Sequence, residues 1–260
     1  MNLLFIGDVV GKPGRTALQR LLKDIQTEYA VDFTICNCEN AAGGNGITKE
    51  VADELYGYGI NCLTSGNHIW DQRQVFEFIE HDARLVRPAN YPIGTPGKGF
   101  AVLKGPGGVP IAIANFSGRI FMPPIDDPFL AANKIVTQLS SSAKIIFVDF
   151  HAEATSEKIA LGWFLDGRVS AVCGTHTHVQ TADERVLPAG TAYISDVGMT
   201  GPKDSVLGVK KEVIIKKFLT GLPARFETAG PPLQLNAVLL TVDATTGKAE
   251  AITRIQKFIA

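Results

Sequence analysis

The chain has 260 residues, enough to bury a sizeable core. Hydrophobic residues make up 45% and charged residues 20%, an ordinary balance for a globular protein. A formal net charge of −1 excludes an extended nucleic-acid footprint built on overall basic charge, so an anionic ligand must find its counter-charge locally.

The N-terminal stretch MNLLFIGDVVGK turns polar too soon for a secretory signal. No apolar run approaches ~18 residues, so no membrane span is expected. Cys36, Cys38, Cys62 and Cys173 sit in or beside apolar runs, with neither CxxC spacing nor a disulfide framework. The expectation is four reduced, buried thiols in a cytoplasmic protein.

NLLFIG (2–7) is a short apolar run ending in Gly, as a buried parallel strand would be. A helix is expected from about Arg15 to Tyr29, because Leu18, Leu21, Leu22, Ile25 and Tyr29 form one stripe. Pro13 is read as preceding its start. DFTICNC (32–38) is the next strand and 48–59 the next helix, capped by Thr48. INCLTSG (60–66) is a third strand and 71–81 a third helix. Such alternation implies parallel βαβ units. GFAVLK (99–104) and VPIAIANF (109–116) flank a GPGG turn and read as an antiparallel hairpin. After a loop at 117–128 come a helix (129–140), a strand (144–150), a helix (153–165) and a strand (169–174). TAYIS (191–195) is strand-like and 196–208 a loop, while 209–233 fits helix or extended chain equally. Residues 234–243 and 248–256 form a hairpin about ATTG, which could cover the core or make a homo-oligomer contact. No repeat, low-complexity segment or linker interrupts 1–260, so one domain is expected.

Polar residues collect just past the strands. Asp8 follows the first, Glu39 and Asn40 the second, and Asn67 and His68 the third. His151 follows the strand at 144–150, and His176 and His178 follow the strand at 169–174. In an open α/β sheet such strand ends share one edge, where ligand crevices form. Buried imidazoles and carboxylates need partners, and a divalent cation supplies them. Three histidines, two carboxylates and two amides, with no thiolate, suit Mn, Fe or Zn better than Ca. Seven ligands exceed one tetrahedral ion and fit two ions about 3.5–4 Å apart sharing a carboxylate.

The pieces IGDVVGKPGR, CENAAGGNGIT, SGNHIWD, FHAEATSEK, GTHTHVQTAD and ISDVGMTGP run from position 6 to 202. In this order they resemble the calcineurin-like metallophosphoesterases, and more closely their YmdB-type bacterial branch of cyclic-nucleotide phosphodiesterases. The resemblance implies a four-layer α/β/β/α sandwich, with mixed sheets and helices outside. It implies two divalent transition-metal ions, Fe or Mn with Zn as a third choice. Carried over, one ion is held by Asp8, Glu39, Asn40 and His178, and the other by Glu39, Asn67, His151 and His176. Glu39 bridges them, and His68 is the general acid. The implied substrate is a small anionic phosphodiester, 2′,3′-cyclic or 3′,5′-cyclic AMP, opened by a metal-bridging hydroxide. The common superfamily pattern has Asp-x-His after the first strand; here Asp8-Val9-Val10 lacks that imidazole, and Glu39 replaces the usual Asp.

Other features read more plainly. GDVVGKPG has three residues between Gly and Gly-Lys and Pro after Lys, so it is no phosphate-binding P-loop. His81 and Arg119 read as surface residues, and Cys36 and Cys38 as core. AAGGNG (41–46) fits either a close backbone approach at the site or a simple turn. His68 could alternatively shape its loop through Asp71. Amidohydrolases also use His-x-His, but place it after the first strand, whereas here it comes late. A metal-dependent nucleotide-binding regulator with little turnover would need nearly the same residues.

Overall fold

The structure, a computed structural model, describes residues 1–260. In chain order the elements are β1 (Asn2–Ile6), β2 (Asp8–Val9), α1 (Gly11–Glu28), β3 (Phe33–Asn37), α2 (Lys49–Gly57), β4 (Cys62–Thr64) and α3 (Val75–Phe78). Then follow β5 (Phe100–Lys104), β6 (Pro110–Ser117), α4 (Pro128–Leu139), β7 (Ile145–His151), α5 (Thr155–Phe164) and β8 (Ala171–Thr175). The last are β9 (Arg185–Val186), β10 (Ala192–Ile194), β11 (Met199–Pro202), α6 (Lys211–Thr220), β12 (Leu233–Val242) and β13 (Ala249–Ile259).

They build two mixed sheets. In the first, β1 pairs in parallel with β3, which pairs in parallel with β4. On its other edge β1 meets β12 antiparallel, Leu4 opposite Leu239, and β12 pairs antiparallel with β13. β11 joins the start of β12 and runs parallel to β2. The second sheet has the order β5-β6-β7-β8-β10-β9, parallel from β6 to β10 with antiparallel strands at both ends.

Strand alternation sets the layers, since successive side chains point to opposite faces. Leu3 and Phe5 face the second sheet and meet Ile113, Ile145, Phe147 and Cys173. Phe5 and Phe147 pack with ring centroids 4.7 Å apart. Leu4 and Ile6 face the other way, against Leu18, Leu22 and Ile25 of α1 and Leu55 of α2. Across the molecule, Ala112, Ala114, Val148 and Phe150 take Ala132, Val136 and Leu139 of α4 and Leu161 of α5. This is the expected four-layer α/β/β/α sandwich. Each fully buried Leu, Ile or Phe contributes about 1.5–3 kcal/mol, so the three layers of contact dominate stability.

Several elements depart from expectation. α1 starts at Gly11, so Pro13 is the third helical residue rather than a preceding one. That position needs no amide donor, because the first turn has no acceptor for it. The helix expected at 71–81 shrinks to the single turn α3. The side chain of Gln72 reaches the carbonyls of Ala42 and Asn45, and His68 bonds Asp71, so local polar contacts hold 68–74 in turns. The 196–208 loop contains β11, and 209–233 contains α6. The Thr48 cap forms as expected, its hydroxyl accepting from the Val51 amide at 3.3 Å. The tail hairpin completes the first sheet through β12. No helix is long and apolar enough to cross a membrane.

Candidate active site

The C-terminal ends of the parallel strands in both sheets open on one edge. There Asp8, Glu39, Asn40, Asn67, His151, His176 and His178 come together from five separate segments. Glu39 Oε1 lies 3.1 Å from His151 Nε2. His151 Nε2 is 3.2 Å from Asn67 Oδ1 and 3.0 Å from His176 Nδ1. Asn40 Nδ2 is 3.2 Å from both Glu39 Oε1 and His178 Nε2. The His176 amide donates to Asp8 Oδ2 at 3.2 Å. Donor atoms of Glu39, His151 and His176 lie within 4.8 Å of one another, and so do those of Asp8, Glu39 and His178. Either trio could hold a metal ion, and Glu39 belongs to both.

Each imidazole is turned inward by a bond on its other nitrogen. His151 Nδ1 bonds Thr175 Oγ1 at 2.9 Å, and that hydroxyl donates to Asp149 Oδ1 at 2.7 Å. His178 Nδ1 donates to the Leu207 carbonyl at 3.1 Å. His176 Nε2 faces Glu153 Oε2 at 3.1 Å. Partners of this kind fix tautomer and ring orientation in metal-binding histidines. The facing atoms are thus Nε2, Nε2 and Nδ1. Asn40 presents its amide nitrogen; a half-turn of the amide presents the oxygen with no other movement.

Charge in the cluster is strongly coupled. Burial works to raise the Glu39 carboxyl, but the charge and hydrogen bond of His151 overcome it and hold it at about 2. Burial opposes charge on His151 too, yet Glu39 and then Asp8 bring it up to about 9. Burial, and then the His151 charge, push His176 down to about 3. Burial pushes Asp8 up against the pull of His178 and His151. Asp8 Oδ1 is fully buried with no hydrogen-bond partner. An orphaned oxygen on a carboxylate that is grouped with Glu39 and the inward Nε2 of His178 is the environment a divalent cation fits.

The backbone is shaped to this purpose. His176 and His178 both adopt positive φ, 96° and 66°. Non-glycine residues held there cost of order 1–3 kcal/mol each, and such outliers cluster at functional sites. A Cβ on Gly66 would land on Glu39 Oε2 and the His151 ring, so only glycine allows the chain leaving β4 to approach this closely.

The cluster floors a cleft of about 430 Å³, lined also by Val10, Gly43, Gly44, Asn45, Leu207 and Phe226. AAGGNG therefore makes the close approach rather than a remote turn. His68 lines the cleft, and Asp71 Oδ2 holds its Nδ1 at 2.8 Å, which leaves Nε2 for the cleft. Arg119 is a surface residue paired with Asp127 at 2.6 Å. His81 lies away from the cluster and is exposed.

Sequence reasoning missed the supporting residues Asp149, Glu153, Lys158, Thr175 and Asp196. The Lys158 ammonium is buried and donates to Asp196 Oδ2 at 2.7 Å. The same oxygen accepts from the Thr177 amide at 3.0 Å and hydroxyl at 2.7 Å. Lys158 lies in FHAEATSEK and Asp196 in ISDVGMTGP. A charged residue inside a motif with no chemical role of its own was the only signal.

Fold and site together define a phosphoesterase of the metallophosphoesterase type. The family described as YmdB-like protein matches residues 4–255, and the chain belongs to it. A Bacillus subtilis 2′,3′-cyclic-nucleotide 2′-phosphodiesterase is 52% identical, over 98% of this chain and 96% of that protein. The crystal structure of a hypothetical protein from Thermus thermophilus superposes with a TM-score of 0.93 at 43% identity, covering 99% of both chains. That of a phosphatase from Mycoplasma pneumoniae gives 0.93 at 35% identity, covering 99% of this chain and 93% of that one. The chain is an enzyme, a hydrolase of phosphoric esters.

Proposed function

We propose that the chain hydrolyses 2′,3′-cyclic nucleotides with two divalent transition-metal ions, Fe or Mn with Zn as a third choice. One ion would be held by Asp8, Glu39, Asn40 and His178, the other by Glu39, Asn67, His151 and His176. The observation that carries this reading is that the two donor trios share Glu39, which is what a bridging carboxylate requires. The substrate class is supported by the relative that is 52% identical.

When bound, the two cations would neutralise phosphoryl oxygens and ease deprotonation of the attacking water. His68 supplies the proton that the leaving ribose oxygen needs. Asp71 on Nδ1 orients the ring and leaves Nε2 to carry the proton offered to the cleft. The attacking water gives one proton to solvent and its oxygen bonds phosphorus, the bond from phosphorus to one ribose oxygen breaks, and the ring opens to a monoester. The opened hydroxyl keeps the His68 proton, and solvent returns another. Gly43 and Gly44 let substrate approach the backbone, and Phe226 walls the cleft on the side of α6.

The test is turnover of 2′,3′-cyclic AMP, 3′,5′-cyclic AMP and bis-p-nitrophenyl phosphate by purified protein with Mn²⁺. The 2′,3′ substrate should be preferred. His68→Ala should keep its metal and lose about 10²–10⁴ in turnover, the usual share of a general acid. Wild-type rates in His68→Ala would overturn the acid assignment. Bound metal with no turnover of any substrate would favour a regulator instead.

A further inference from the structure

No lysine or arginine lines the cleft, so any phosphate beyond the reacting one must be met outside it. One such place adjoins it directly. Phe226, 51% exposed at the rim, has Lys217 Nζ 4.6 Å from its ring centroid. Beyond this pair lies a second hollow of about 320 Å³, walled by Lys216, Lys217, Arg225, Thr220 and Leu222 and by no acidic residue. None of these three cations has an ion-pair partner, although Lys210 next to them pairs with Glu227 at 2.7 Å. Every residue from 215 to 227 is exposed, and only Ile214 of α6 is buried. Three cations without ion-pair partners beside one exposed aromatic ring, Phe226, offer charge for phosphates and a flat face for a base, the combination single-stranded nucleic acid needs.

We propose that this surface is a short strand track, and that the enzyme takes the 3′ end of an oligoribonucleotide bearing a terminal 2′,3′-cyclic phosphate. The proposal rests on the cyclic-nucleotide reading of the cleft. A 2′,3′-cyclic phosphate forms when a ribose 2′-hydroxyl attacks its own 3′ phosphodiester and expels the 5′ oxygen of the next nucleotide. The group is thus left on the end of a strand, with further phosphates upstream. A cyclic mononucleotide has one phosphate and no use for three cations outside the cleft. A two-fold contact with a second copy over this groove would bring like charges together. The track is short, in keeping with a net charge of −1.

The experiment compares 2′,3′-cyclic AMP with a labelled RNA of about five nucleotides ending in a 2′,3′-cyclic phosphate, using the full chain with Mn²⁺. The wild type should show kcat/KM at least about tenfold higher on the RNA at low salt. Its logarithm should fall with log salt with a slope near −2, as about three phosphate contacts on a single strand would give. Lys216→Glu/Lys217→Glu/Arg225→Glu should remove that advantage and leave the mononucleotide rate within about twofold. Equal rates on both substrates in the wild type, or equal losses on both in the variant, overturn the track. If neither substrate turns over, the catalytic reading fails and the track is judged by binding. Fluorescence anisotropy with the 3′-phosphorylated RNA must then show affinity that the triple variant loses, and no such loss overturns it. A dimer that the variant dissociates with no change toward RNA likewise overturns it, in favour of a self-contact.

Discussion

Lys158→Met tests how the His-x-His turn is held. Lys158 and Asp196 are both buried and meet at 2.7 Å. Removing the ammonium leaves the Asp196 carboxylate with three neutral donors, from Thr177 and Gly198, and no cation. Stranding a buried charge costs about 3–5 kcal/mol, and the remaining donors place this case near 3. At roughly 2–4 °C per kcal/mol for a chain this long, the melting temperature should fall by about 6–12 °C. Thr177 sits between two residues at positive φ, so a loosened Asp196 also releases His176 and His178 from their strained pose. Metal affinity should then drop about 10–100-fold, the usual effect of losing an outer partner. Thermal unfolding by circular dichroism and Mn²⁺ titration by calorimetry read the two effects separately. Lys158→Met/Asp196→Asn removes the stranded charge and should melt above the single variant. A single variant melting within about 2 °C of wild type, with unchanged Mn²⁺ affinity, would show that the pair does not hold the turn.

Asp8→Ala and His178→Ala should each lose metal and activity together; elemental analysis beside turnover checks this, and full metal content in either would remove that residue from the ligand set. Gly66→Ala should lower metal content and melting temperature, because its methyl group meets Glu39 and the His151 ring; calorimetry of the purified variant decides. All four thiols should resist a thiol reagent at neutral pH until the protein unfolds, because burial pushes each of them up and reaction needs the thiolate; rapid labelling of any of them in the native state would contradict the packing.

The fold was legible where hydrophobic period and punctuation agree. NLLFIG and KIIFVDF are too short and too apolar for anything but buried strands, and α1 carries an uninterrupted leucine stripe. The failures have local causes. At 71–81 the apolar residues Val75, Phe78 and Ile79 cover a single turn, and the side chains of His68 and Gln72 bond elsewhere before a helix can nucleate. β2, β9 and β11 span two to four residues, too few to show a period. α6 has one buried residue, so no inward stripe marked it.

The cluster itself was legible because its chemistry is carried by residue types that rarely end an apolar strand without a reason. What the sequence could not show is why two histidines two apart both point inward. In an extended strand, residues i and i+2 share a face but project in parallel, and here the two trios take different ring nitrogens. Positive φ at His176 and again at His178 folds the backbone back on itself, and this turn lets His176 offer Nδ1 toward His151 while His178 offers Nε2 toward Asn40. The strain is held in place by Asp196, eighteen positions after His178, and by Lys158, eighteen positions before His176. Neither touches the donor trios. Spacing along the chain identifies candidate ligands; the groups that make them converge are found only where buried charge is seen to be paired.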